Sequence, residues 1–318
     1  MKIPEFKIRT DLALEEREGL KEAAEEVSGV SFKKWEGKRS AAQITEVKVL
    51  NEHGAKALGK PMGSYLTLEA DKLLMPDEDF HSEVSDELAL LLKGLLKQKT
   101  GKNILVAGLG NQSVTPDSLG PRTVSNLCVS AEGLKAIAPG VMAQTGMETA
   151  RILLGIIKEV QPDLVIAIDA LAARSIRRLG TTIQLTDTGI HPGSGVGNHR
   201  HSLTEESLGV PVLAIGVPTV VGAAAIVHDT VNTMIQALAD SRETRGMGEF
   251  VRDMGPEEQY SLIRELLEPE FGSLYVTPPD IDQTIKQLGD TISQGIHGAF
   301  FPSVFSEAPG CKGADSVI

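Results

Sequence analysis

Short apolar runs rich in β-branched residues alternate along this chain with longer stretches in which apolar residues recur every three or four positions. The first pattern predicts strands and the second amphipathic helices. Leu14 to Val27 is a Glu-rich helical stretch with Leu20, Ala23, Ala24 and Val27 at helical spacing. Ala42 to Leu50 and Ser64 to Ala70 read as strands joined by a turn-rich connection that contains Gly59-Lys60-Pro61-Met62-Gly63. Asp77 to Lys99 is a long helix with Leu88, Leu90, Leu91, Leu92, Leu95 and Leu96 on its core-facing stripe. Asn103 to Ala107 and Leu164 to Ile168 read as parallel strands buried on both faces, bracketing a helix from about Thr145 to Val160. Thr181 to Thr186 and Pro211 to Gly216 are further strands, with Ile215 to Val221 leaving the sheet as an edge loop. Ala223 to Ala239, Glu257 to Leu267 and Ile281 to Ile296 are helices. Residues 1–11 show no period and read as an irregular leader, 241–255 as a charged insertion, and the tail from Ala308 as loose.

Alternating strands and helices over 318 residues, 41% of them hydrophobic, predict one large α/β domain. Its sheet is expected to be mostly parallel, twisted and flanked by helices, with extra N-terminal strands and C-terminal helices. The unit strand–helix–strand points both strand ends the same way, so the loops after them share one edge of the sheet. That edge collects chemistry in open α/β folds. Asp169 stands at the end of one strand, and the loop after the other presents Asp117. Two carboxylates facing one crevice can divide the acid and base roles of a hydrolysis, because close like charges push one pKa up.

Other motifs change the picture less. Gly108-Leu109-Gly110 after a strand suggests a phosphate cradle and a non-catalytic ligand-binding module, but Ser113 and Pro116 break the dinucleotide fingerprint. Gly193, Gly195 and Gly197 let the segment from Gly189 to Asn198 approach a substrate main chain. His191, His199 and His201 cluster beside it, at a spacing that is a weak metal signal, so no metal and no cofactor is assigned. Forty-three acidic residues against 31 basic ones give a net charge of -12, which disfavours direct nucleic-acid binding. No apolar run approaches the roughly 18 residues a membrane span needs, and no signal-peptide core is present, so a cytosolic protein is expected. Cys128 and Cys311 are too few and too far apart in sequence to suggest a disulfide framework, and they suit a reducing interior.

Several blocks resemble the germination protease of endospore-forming bacteria, the spore endopeptidase that degrades small acid-soluble spore proteins. They are Gly108-Leu109-Gly110-Asn111, Val114-Thr115-Pro116-Asp117, Ala138-Pro139-Gly140-Val141-Met142, Ile166 to Arg174 and Asp187 to Asn198. The likeness extends from Arg9-Thr10-Asp11-Leu12-Ala13 through Gly59 to Tyr65 and on to Gln294-Gly295-Ile296. The resemblance implies a fold similar to that of hydrogenase-maturation endopeptidases and an aspartic-type mechanism that uses Asp117 and Asp169. Because the equivalent acidic residues of those endopeptidases bind a metal, it also keeps a metal-assisted route open. It implies a propeptide, residues 1–11, removed from a mature domain, 12–318, by self-cleavage between Asp11 and Leu12. The junction matches substrate sites in which an acidic residue precedes a hydrophobic residue and Ala. The resemblance further implies a homotetramer in the spore core. His191 and the three glycines are the expected substrate-binding residues.

Overall fold

In the computed structural model the described residues are 10–22, 28–96, 103–129, 133–191, 201–240, 262–263, 265–266 and 274–301. Its strands are β1 (Val30–Glu36), β2 (Gln43–Val49), β3 (Gly63–Glu69), β4 (Ile104–Gly108), β5 (Leu134–Ile137), β6 (Leu164–Ala173), β7 (Thr182–Thr186), β8 (Val212–Gly222) and β9 (Tyr275–Val276). Its helices are α1 (Ala13–Glu22), α2 (Glu52–Leu58), α3 (Glu78–Leu95), α4 (Leu119–Ser125), α5 (Met142–Thr145), α6 (Thr149–Val160), α7 (Glu205–Leu208), α8 (Ala223–Asp240) and α9 (Ile281–Phe300). The strands form one nine-stranded sheet in the order β1-β2-β3-β7-β8-β6-β4-β5, with β9 paired to β8.

The α/β expectation holds, and α1, α3, α6, α8 and α9 lie where the apolar stripes place them; the helix expected over Glu257 to Leu267 lies mostly outside the described residues. The sheet is mixed, which corrects the expectation of a mostly parallel one. Only β5-β4-β6-β8 is parallel, while β1, β2, β3, β7 and β9 pair antiparallel. The parallel half is the part built from strand–helix–strand units. In the remainder, β1, β2 and β3 follow one another along the chain as antiparallel neighbours, while β3 meets β7 and β8 meets β9 across long stretches of sequence.

Alternation along the strands separates two faces. One carries Ile44, Leu66, Leu68, Ile166, Ile168, Ile183, Leu185 and Ile215, packed under α3 and α9 into the largest apolar core. The other is divided. Leu105, Ala107, Val165, Ala167 and Val212 pack under α6 and α7, and Val47, Val49 and Tyr65 meet Ala13 and Leu58 of α1 and α2. Between these patches runs a polar row, one residue per strand in register: Thr45, Thr67, Gln184, Gly216 and Asp169.

Four sequence expectations need correction. β6 does not stop at Ile168 but continues to Ala173, and β8 continues through the stretch read as an edge loop. Each strand supplies the other's partner beyond the last residue of β4, so pairing persists where the apolar run looked finished. The edge strand β1, with Lys33, Lys34 and Glu36 in its sequence, was not recognised because charges typical of an edge mask its alternation. The connection after β2 contains a capped helix, α2, whose Asn51 side chain accepts the Gly54 N–H at 2.9 Å. Cys128 is among the described residues, and Cys311 lies outside them.

The loop after β4 is fixed by close backbone contact. A Cβ on Gly108 would lie 2.2 Å from the Gly120 carbonyl oxygen and 2.8 Å from Val124 Cγ2. Gly108→Ala is therefore expected to cost roughly 1–3 kcal/mol through overpacking, read as a lowered denaturation midpoint at unchanged m-value. An unchanged midpoint would show that α4 can move away freely.

Candidate active site

The polar row is covered by the chain itself. Residues 10–12 cross it and lead into α1 at Ala13, and Leu12 and Ala13 are fully buried. Buried backbone needs partners, and the N–H groups of residues 11–13 find them. The Asp11 N–H donates to Ala172 O at 3.1 Å, the Leu12 N–H to Thr10 Oγ1 at 3.0 Å, and the Ala13 N–H to Gln184 Oε1 at 2.8 Å. The Asp11 carbonyl oxygen accepts Lys60 Nζ at 2.9 Å and Gln184 Nε2 at 3.3 Å. Ala172 is available because β4 pairs with β6 only as far as Ile168, so that strand does not occupy the edge of β6 beyond it.

Each side chain of the segment has its own socket. The Asp11 carboxylate accepts the Ala172 N–H at 2.9 Å. Leu12 joins Leu171, Ala173, Leu179, Val221 and Ala225. Ala13 packs among Val47, Val49, Leu58 and Tyr65. The following turn is latched by Glu15, whose carboxylate accepts the N–H groups of Arg174 at 2.7 Å and Ser175 at 3.0 Å and the Thr10 hydroxyl. Arg178 binds Glu15, Glu18 and Glu69 together. Burial alone would lower the Arg178 pKa, but its bonds to Glu18 and the charges of Glu15, Glu18 and Glu69 raise it above the ordinary value.

The crevice around Asp11 is lined by Lys60, Tyr65, Leu171, Gln184, His191 and Gly216, among others. Lys60 reaches it from a rigid turn. Gly59 ends α2 in the left-handed conformation at φ 68, donating to Ala55 O, and the Tyr65 hydroxyl donates to Pro61 O at 2.9 Å. Burial pushes the Tyr65 pKa up to about 12, with Asp187 adding and the Thr188 hydrogen bond opposing, so the phenol remains a donor. His191 is held below the ordinary histidine value by desolvation and by Lys60, with Asp11 opposing.

Asp169 is buried at 6% exposure in the middle of β6, not at its end, and its Oδ1 accepts the Ala170 N–H at 3.0 Å. It shares its face with Gln184 across Gly216, and Leu171 lies over that glycine: a Cβ on Gly216 would meet Leu171 Cδ1 at 2.4 Å. Asp117 closes a short turn, Thr115–Asp117, that lies against β6 and β8. Its Oδ2 accepts the Asn111 N–H at 2.8 Å, and Gln144 Nε2 in turn donates to Asn111 Oδ1 at 2.6 Å. The structure thus brings the Asp117 turn to the strand of Asp169, and Asp11 and His191 into one crevice. Gly193, Gly195, Gly197 and His199 lie outside the described residues. His201 is bonded to Glu148 through its backbone N–H at 3.0 Å and through its ring. Among the described residues no group of three or more His, Cys, Asp or Glu side chains is placed to hold a metal ion, and no helix is long and apolar enough to cross a membrane. Sequence reasoning missed Lys60 and Gln184 as site residues. A glutamine in the otherwise apolar and threonine-containing strand Thr182–Thr186 is the one signal that pointed to Gln184.

An α/β sheet that grips a buried stretch of its own chain beside buried and half-buried carboxylates is a layout suited to peptide hydrolysis. The family model described as germination protease matches residues 8–249. A germination protease of Caldanaerobacter subterraneus subsp. tengcongensis is 48% identical over 312 residues, covering 93% of this chain and 95% of its own. One from Clostridium perfringens is 39% identical over 318 residues, covering 95% and 98%, and one from Geobacillus is 37% identical over 362, covering 96% of each. A NiFe hydrogenase maturation protease, HycI from Thermococcus kodakarensis, aligns with 41% of this chain and 80% of its own at 22% identity and a TM-score of 0.31, too low to bear on the site. This chain belongs to the germination protease family, and it is accordingly a hydrolase, an endopeptidase of spore germination. The non-catalytic ligand-binding alternative falls with that membership.

The charges around His191 set a measurable order. Lys60→Met is expected to raise the His191 pKa, because a cation is removed, and Asp11→Asn to lower it, because an anion is removed. Titration of the imidazole by NMR reads both, and a shift of opposite sign in either variant would place His191 outside this charge cluster. Because the folded value is depressed below 6.5, the arrangement around His191 is favoured in full above that pH and weakens as pH falls through the lowered value.

Proposed function

We propose that this chain is a zymogen that cuts its own Asp11–Leu12 bond, releasing residues 1–11 as a propeptide and leaving 12–318 as the mature peptidase. Asp117 and Asp169 divide the general acid and base roles. Its substrates in the spore core are small acid-soluble spore proteins, cleaved after an acidic residue and before a hydrophobic residue followed by Ala, and the working assembly is a homotetramer. Gly193, Gly195 and Gly197 hold the substrate backbone in this reading, with His191 at the rim of the crevice. No metal or other cofactor enters it.

One observation carries the reading: residues 10–13 lie in the crevice as a substrate would, with a separate socket for each side chain. The backbone N–H of Ala172 favours a carboxylate at position 11, an apolar cluster receives position 12, and a fully buried contact leaves room for no more than a methyl group at position 13. That is an acidic, large apolar, small order. Asp169 lies about three residues along β6 from Ala172, roughly 10 Å at strand rise, on the face that the segment covers. A tethered substrate also has an effective concentration in the millimolar range or above, so slow chemistry suffices for a single turnover.

The test is to incubate the full chain at mildly acidic pH and sequence the new N-terminus. The wild-type product is expected to begin at Leu12. Asp169→Asn and Asp117→Asn keep the side-chain shape but cannot exchange the proton, so processing should fall by about 10²–10⁴-fold in each. A product beginning elsewhere, or an aspartate variant processed at the wild-type rate, would overturn the corresponding part of the proposal. The same incubation with a chelator, expected to leave the rate unchanged, separates the carboxylate route from a metal-assisted one.

A further inference from the structure

We propose that Lys60 and Gln184 form the electrophilic site of this protease, holding the carbonyl oxygen of the bond to be cut and stabilising the negative charge that it gains. This assignment rests on the reading that the Asp11–Leu12 bond is the one cleaved. The Asp11 carbonyl oxygen is the acceptor of two side-chain donors, Lys60 Nζ at 2.9 Å and Gln184 Nε2 at 3.3 Å. The same Gln184 amide accepts the Ala13 N–H at 2.8 Å, so it clamps the chain on both sides of Leu12. Lys60 Nζ also reaches Thr10 O at 3.4 Å, on the other side of Asp11. The two donors approach from different elements, Lys60 from the turn after α2 and Gln184 from β7, and both elements are fixed by bonds that do not involve the leader.

The chemistry that follows is balanced without a further reagent. Water adds through its oxygen to the Asp11 carbonyl carbon while one carboxylate of the Asp117 and Asp169 pair takes its proton, and the carbonyl π pair moves onto the oxygen. That oxygen now carries a full negative charge between an ammonium and an amide N–H. When the pair returns, the carbon–nitrogen bond breaks and the Leu12 nitrogen takes a proton from the protonated partner of the pair. Donors that are fixed in place before charge develops cost no reorganisation at the moment of reaction, and removal of one such donor typically costs about 10²–10³ in rate. A crevice that already contains Asp11 and lies on a sheet face with Asp169 disfavours a further negative charge, and Lys60 supplies the compensating cation.

The test measures two properties of the full chain. The first is the rate of appearance of the chain that begins at Leu12. The second is amide hydrogen exchange at Asp11 and Ala13, followed in the Asp169→Asn background so that the bond stays intact. Lys60→Met is expected to slow processing by about 10²–10³-fold while amide protection stays within a few-fold of the parent, and Lys60→Arg is expected to recover most of the rate. Gln184→Leu is expected to lose both rate and protection, because it also removes the acceptor for the Ala13 N–H. Lys60→Met processed at the wild-type rate, or slowed only in proportion to a loss of amide protection, would reduce Lys60 to a docking contact and overturn the assignment. If wild-type processing occurs at another bond, the self-cleavage reading fails first and this assignment with it. If processing is at Leu12 and only the Lys60 result fails, the reading stands without this site.

Discussion

A stretch of chain buried on a sheet face must have its amides and carbonyls bonded, and among the described residues the strand backbone that residues 10–13 meet is that of Ala172 in β6. The protein meets that constraint with side chains and with the edge of β6 that β4 leaves open. Gln184 supplies both an acceptor and a donor, Lys60 a second donor, and Ala172, beyond the last β4 pair at Ile168, pairs with Asp11. The cost of leaving one such group unpaired is about 1–3 kcal/mol, comparable to the roughly 1.5–3 kcal/mol gained by burying a side chain such as Leu12. Neither contribution alone would dock the segment, and the sockets and the backbone bonds are needed together.

The same constraint explains why the two faces of the sheet differ. The face under α3 and α9 is apolar throughout. The opposite face carries the row Thr45, Thr67, Gln184, Gly216 and Asp169, because what lies over it is backbone and not a helix with an apolar stripe. Thr67 and Thr182 keep buried hydroxyls that find no hydrogen-bond partner among the described residues, a local cost in stability of the kind that accompanies a face adapted to bind a polar chain. Glu15 and Arg178 then fix where the segment enters α1, with Glu15 at 3% exposure and bonded to two backbone amides.

The strand and helix periods made most of the fold legible, including β2, β3, β4, β7, α3, α6 and the last helix, because these are half or fully buried elements with uninterrupted patterns. The extension of β6 was not, since Asp169 interrupts an apolar run and an acidic residue there looks terminal; only the pairing with an equally extended β8 shows otherwise. The parallel half was over-extended to the whole sheet, because a strand sequence does not encode the direction of its neighbour. Of the site, the junction at Asp11 and Leu12 and the two aspartates stood out by residue type and family likeness. Lys60 and Gln184 did not, because one lysine in a turn and one glutamine in a strand carry no spacing signal. Their proposed role depends on a contact across 49 residues in one case and 173 in the other.

If the leader is a substrate held in place, its three sockets do not discriminate equally. The position after the acidic residue is surrounded by aliphatic side chains, and a pocket of that kind distinguishes one methylene by only about 1–3 kcal/mol, so several large apolar residues fit. The acidic position is read by one backbone N–H, whose charge-assisted bond is worth roughly 1.5–3 kcal/mol, and both Asp and Glu have an oxygen to offer it. The position of Ala13 differs in kind. It is fully buried between β2, β3 and α2, so any larger side chain has to displace packed neighbours that also carry the fold, at a cost that grows with every added atom. In that proposed reading, steric exclusion at the third position, more than attraction at the first two, would confine cleavage to few sites in a polypeptide.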